Sequence, residues 1–147
     1  MKIQKKCEHT EQVALINWAR ANEGKHPQLR NLFAIPNGGK RSSGWWEKSE
    51  GLKSGVPDIF LACAALPDDP SDVFRFISEC LDMELNEGVY FGLFIEMKFG
   101  KNKPSPNQHE WIERLTEANY KCIVCYGWEE ARDEILNYLG EKSCSTR

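Results

Sequence analysis

Phe91-Gly92-Leu93-Phe94-Ile95-Glu96-Met97-Lys98-Phe99 reads as a β-strand suited to the interior of a sheet, with apolar side chains at most positions. Two charged residues interrupt it near its C-terminal end. Side chains on a strand alternate between faces, so Glu96 and Lys98 emerge side by side on one of them. Taking a carboxylate and an ammonium out of water is costly unless they pair or ligate something. The pair is therefore either a structural ion pair at a strand end or part of a metal site.

A second stretch bears on that choice. Gly55-Val56-Pro57-Asp58-Ile59-Phe60-Leu61-Ala62-Cys63 places an acid between a Gly/Pro turn and another apolar run. If the two runs are neighbouring strands, Asp58, Glu96 and Lys98 meet at one edge of a sheet. Two hard carboxylate ligands suit Mg²⁺ or Mn²⁺, with water and phosphate oxygens filling the remaining positions.

These residues resemble the P-D…(D/E)-x-K signature of a large nuclease superfamily, and the wider pattern is similar to its VRR-NUC branch, the virus-type replication and repair nucleases. The supporting pieces run in order: Glu8…Gln12, Ile35-Pro36-Asn37-Gly38-Gly39-Lys40, the Asp58 stretch, Leu93 to Lys98, and Ser105-Pro106-Asn107-Gln108. Ala118-Asn119-Tyr120 and Gly127-Trp128-Glu129-Glu130-Ala131 follow, so the resemblance covers roughly residues 8 to 139. It implies an α/β, restriction-endonuclease-like fold, a mixed β-sheet flanked by helices. By the same resemblance, Asp58, Glu96 and the backbone carbonyl of Met97 would bind Mg²⁺ or Mn²⁺. Lys98 would orient the attacking water, help deprotonate it and stabilise the transition state. Glu8 would complete the metal or water shell, directly or through a water, with Glu11 as its rival because one sequence does not fix the helix phase. Gln108 would orient a water or phosphate.

The composition is that of a soluble globular protein. A chain of 147 residues with 41% hydrophobic and 28% charged content is most simply one domain, here residues 1–140, followed by a tail at 141–147 expected to be disordered. No run approaches a membrane span, and the lysine-rich start is no secretory signal, so the expected location is cytoplasmic, in a bacterial or phage-infected cell. The cysteines, Cys7, Cys63, Cys80, Cys122, Cys125 and Cys144, are scattered and do not form a secreted disulfide framework. Cys122 and Cys125 have C-x-x-C spacing, but no second such pair accompanies them, so buried free thiols are the better reading.

A net charge of −3 conceals an uneven distribution. Residues 67 to 88 hold seven acids against Arg75, a local charge of −6, which leaves +3 on the rest of the chain. Basic residues gather near the candidate site: Lys40, Arg41, Lys48, Lys53, Lys98, Lys101 and Lys103. Such a surface permits phosphate binding, although lysines beside turns are commonly just solvated.

Along the chain, Glu8 to about Asn22 reads as a helix, with Val13, Ile16 and Ala19 at helical spacing and Leu15 and Trp18 alongside. Glu8 and Gln12, four apart, share a face and could both reach the site. Leu32 to Pro36 reads as a strand closed by Asn37-Gly38-Gly39, where backbone N–H groups can approach a phosphate with Lys40 and Arg41 following, or simply form a turn. Within the resemblance, Asn37, Gly38, Gly39, Lys40, Arg41, Lys48 and Lys53 are the expected DNA contacts. Trp45 and Trp46 depart from the family's short basic helix and could stack on bases, pack the loop or meet a second subunit. The link around 64–89 is longer than the family's and reads as an acidic insertion. Ser105-Pro106 opens a helix, with Ser as cap and Pro at the first position, whose apolar face is Trp111, Ile112, Leu115 and Ala118. Tyr120 to Tyr126 reads as a last strand and Trp128 to Leu139 as a last helix without an evident cap.

Together these readings predict a metal-dependent, structure-selective DNA endonuclease. A compact site is poorly suited to reading a long sequence, so the favoured form is a Holliday-junction resolvase acting as a homodimer on branched DNA. A flap endonuclease or exonuclease, and a non-catalytic DNA-binding subunit, are the alternatives.

Overall fold

The computed structural model describes residues 6–36, 51–65 and 90–140. Asn37, Gly38, Gly39, Lys40, Arg41, Lys48, the Trp45-Trp46 pair, nearly all of the acidic insertion and the C-terminal tail lie outside these residues. The described elements are α1 (Glu8–Asn22), a 3-10 turn (Pro27–Asn31), β1 (Leu32–Ala34), β2 (Ile59–Leu61), β3 (Leu93–Lys98), α2 (Pro106–Glu117), β4 (Lys121–Tyr126) and α3 (Trp128–Tyr138).

The strands form one sheet in the order β1-β2-β3-β4. The β1–β2 and β2–β3 pairs are antiparallel and β3–β4 is parallel, which makes the sheet mixed. The parallel pair needs a crossover, and α2 supplies it. Ile59 lies opposite Ile95, Phe60 opposite Phe94 and Leu61 opposite Leu93. Continued by one residue, that register sets Asp58 against Glu96 on the same face.

The other face carries Ile59, Leu61, Leu93, Ile95 and Met97 into a core closed by Leu15 and Ala19 of α1, Leu29, Cys125, and Ala131, Ile135 and Tyr138 of α3. Full burial of each of the larger aliphatic side chains stabilises the fold by about 1.5–3 kcal/mol. The result is an α/β domain in which helices flank a mixed sheet, as expected for a restriction-endonuclease-like architecture. None of the described helices is long and apolar enough to cross a membrane.

Two sequence expectations need correction. The buried stripe of α1 is Glu11, Leu15 and Ala19, whereas Val13 turns outward at 44% exposure. A buried acid thus replaces an aliphatic residue in that stripe because it has a partner on α3. Among the described cysteines, all of them free thiols, only Cys125 is fully buried, and Cys7 is exposed. Cys122 and Cys125 stand three apart on β4 and so leave the strand on opposite faces.

Candidate active site

Glu96 and Lys98 occupy the end of β3, where the sheet is still covered. Glu96 has no solvent exposure and Lys98 only 6%. The Lys98 ammonium donates to Glu96 Oε1 at 2.5 Å. Gln108 Nε2 donates to the same oxygen. Glu96 Oε2, by contrast, is buried with no hydrogen-bond partner among the described residues. A wholly buried carboxylate oxygen left bare is expensive unless something electropositive belongs beside it.

Asp58 joins them from the position just before β2. Its Oδ2 accepts the backbone N–H of Met97 at 2.9 Å, and its own carbonyl accepts the N–H of Ile35 at 2.8 Å. The side chain is thereby keyed to the peptide between Glu96 and Lys98. Pro57, fully buried, fixes the chain just before it.

Gln108 owes its direction to the start of α2. Ser105 Oγ accepts the Gln108 N–H at 3.4 Å, and Gln108 Oε1 accepts the Ser105 N–H at 2.8 Å, forming a reciprocal capping box. With Oε1 committed to the cap, the amide NH₂ is the end that faces Glu96.

The electrostatics follow from this enclosure. Burial pushes the Glu96 carboxyl up to about 7, reinforced by the Asp58 and Glu8 charges and opposed by Lys98. Burial pulls the Lys98 ammonium down, but the hydrogen bond and charge of Glu96, together with Glu8 and Asp58, outweigh it and hold the lysine above its ordinary value. Lys98 is consequently a cation at neutral pH, placed to stabilise negative charge.

The first helix separates the two rival acids. Glu8 Oε1 accepts from Asn102 Nδ2 at 3.0 Å, on the loop that follows β3. Glu11, only 5% exposed, instead accepts the N–H of Trp128 at 3.1 Å, the first residue of α3. That bond supplies the cap the sequence did not reveal, from a residue 117 positions away. Gln12 lines a cleft of about 290 Å³ with His9, Val13, Ile16 and Ala34, between α1 and β1.

Lys53, exposed, lies with its ammonium 5.8 Å from the ring centre of Trp111. Asn102 and Trp111 are contacts that sequence reasoning missed. Asn102 sits in what reads as a plain basic turn, and Trp111 reads as one more apolar residue of α2.

The donor set fits a hard divalent cation. Among the described residues no three His, Cys, Asp or Glu side chains converge as a metal cluster. Asp58 and Glu96 are two carboxylates that could hold such an ion, since Mg²⁺ is usually bound by one or two carboxylates with backbone, water and phosphate oxygens completing the shell.

Comparison with known proteins agrees with this architecture. The VRR-NUC domain matches residues 2–129 of the chain. A solved structure described as a VRR_NUC domain protein superposes with a TM-score of 0.66 at 23% identity, covering 95% of this chain and 93% of that one. No curated protein matches the chain.

Proposed function

The chain belongs to the VRR-NUC family, and on that premise we propose that it hydrolyses phosphodiester bonds of DNA with a divalent cation, Mg²⁺ or Mn²⁺, held by Asp58 and Glu96. The family implies a nuclease of the PD-(D/E)xK type. The observation that carries the cation is Glu96 Oε2, buried and bare, while Lys98 and Gln108 both engage its companion oxygen. The Met97 carbonyl is the proposed backbone ligand, and Glu8 the acid that acts through a water.

When bound, such a cation lowers the pKa of a coordinated water and offsets charge on the scissile phosphate. The remaining tasks fall to the chain. The Lys98 ammonium stabilises the negative charge that builds on phosphate in the transition state and orients the water by donating to it. It must first surrender a proton to act as a base, so its raised pKa favours the electrostatic role. Gln108 holds Glu96 in place and offers its amide to a water or phosphate oxygen. Products would carry a 5′-phosphate and a 3′-hydroxyl.

Branched DNA, cut by a homodimer as a Holliday junction, is the finer part of the proposal. A few buried groups at one strand end recognise phosphate geometry more readily than a run of bases, which supports structure over sequence as the determinant. Two copies would present two such sites to two of the four strands of a junction.

The test is cleavage of matched labelled four-way junction, flap, duplex and single-stranded DNA with Mg²⁺, Mn²⁺ or EDTA. Paired symmetric cuts in the four-way junction are expected. Cutting confined to flaps or ends would overturn the resolvase and leave the nuclease, whereas metal-independent binding without cutting would overturn both.

A further inference from the structure

The two carboxylates come from separate strands, yet both are tied to the first two turns of α2. Gln108 ties Glu96. The turn leading to Asp58 is tied by a different set of contacts. Gly55, at φ +89, lies so close to α2 that a Cβ there would fall 2.9 Å from the backbone carbon and oxygen of Asn107. One residue earlier, the Ser54 carbonyl accepts the indole N–H of Trp111 at 3.1 Å. The indole also has two cations over its ring, Arg114 at 4.6 Å and Lys53 at 5.8 Å from the ring centre.

The geometry points to Trp111 as a positioning residue: with Gly55 it latches the 54–58 turn onto α2, so that one helix sets the placement of Asp58 relative to Glu96 and thereby the affinity for the divalent cation. Trp111 touches neither carboxylate. Its effect runs through the Ser54 carbonyl and the Gly55–Asn107 contact, along four residues of chain ending at Asp58, whose carboxylate is in turn keyed to the Met97 N–H. Without the indole bond, the turn loses its hydrogen bond to α2 at Ser54, and the spacing of the carboxylate pair is less firmly fixed. Groups that orient metal ligands without binding the metal commonly contribute about 10- to 100-fold to affinity.

This inference rests on the cation reading above, and its test reads binding rather than cleavage. Mn²⁺ affinity is measured by calorimetry on the full chain for wild type, Trp111→Phe, Trp111→His and Gly55→Ala, with circular dichroism to verify folding. Trp111→Phe keeps an aromatic ring for Arg114 and Lys53 but removes the N–H together with the pyrrole half of the indole. It and Gly55→Ala should bind Mn²⁺ roughly tenfold more weakly with the number of sites unchanged. Trp111→His, which can present a ring N–H, should recover part of the loss. Wild-type affinity in folded Trp111→Phe overturns the latch, as does a wild type that binds no Mn²⁺. If Trp111→Phe does not fold, Gly55→Ala decides by the same criterion, and loss of fold in both overturns the proposal because the contacts are then structural. Weaker binding by the variants in a protein that cuts no DNA upholds the latch and defeats only the nuclease reading.

Discussion

Asp58 accepts the backbone N–H of Met97 at 2.9 Å. The carboxylate at the head of β2 is thus registered to the peptide between Glu96 and Lys98, so the three charged groups are placed by backbone pairing as well as by their own contacts. This explains how such a short strand as β2, three residues long, can place the Asp58 carboxylate accurately.

Gln108 serves two masters, the cap of α2 and the Glu96 carboxylate. Replacing it with Glu keeps an acceptor for the Ser105 N–H but sets a carboxylate against Glu96. Gln108→Glu should therefore retain the helix, lose cation-dependent cleavage by about tenfold or more and show a raised requirement for Mg²⁺. Gln108→Ala should also lower stability by about 1 kcal/mol through the lost cap, measured by urea denaturation.

Glu8 and Glu11 are separated by their partners, Asn102 and the Trp128 N–H. Glu11→Ala removes the cap of α3 and leaves the part-buried Trp128 N–H without its partner, which should cost about 1–3 kcal/mol of stability. Cleavage by the folded fraction should be unchanged. Glu8→Ala should do the reverse, slowing cleavage with little change in melting temperature. Equal effects of the two variants on both readouts would contradict the assignment.

Glu96 predicts a pH dependence in EDTA. Its carboxyl titrates at about 7 in the folded protein against an ordinary value of 4.5, so between these values the folded state holds the extra proton. Stability from this group is full below 4.5 and is lost as pH rises through about 7. The Lys98 shift is upward from 10.5, so its contribution is lost only above that range. Melting temperature followed against pH should fall across the lower window in wild type relative to Glu96→Gln. Added Mg²⁺ should offset the fall by favouring the ionised carboxylate.

Thiol reactivity should be ordered. Hydrogen bonding from Thr10 holds exposed Cys7 below its ordinary value, whereas burial, with the Glu130 and Glu134 charges, pushes Cys125 up to about 12. Burial also raises Cys122. Among these three, alkylation followed by peptide mass spectrometry should modify Cys7 first and Cys125 last. Early modification of Cys125 would mean that the β4 side of the core opens readily.

Much of this arrangement was legible locally. The alternation in Leu93 to Lys98 and the Gly/Pro turn before Asp58 announced two strands with acids at adjoining ends, and Ser105-Pro106 announced the start of α2. What the sequence withheld was long-range. The phase of α1 depends on Glu11 finding α3 across 117 residues, and the helix therefore buries an acid where periodicity favoured Val13. The 3-10 turn at Pro27–Asn31 was not anticipated, because its buried Leu29 is fixed by packing against the core rather than by a repeating pattern. Trp111 looked like any apolar helix residue, since only the folded chain brings its N–H to Ser54.

The most direct test of the central claim is Mn²⁺-dependent cleavage of a four-way junction by wild type, Asp58→Asn and Lys98→Ala, each verified as folded. Both variants should cut at least about 100-fold more slowly, and wild type should be silenced by EDTA. Cleavage by either variant at the wild-type rate would contradict the assignment of Asp58, Glu96 and Lys98 as the catalytic centre.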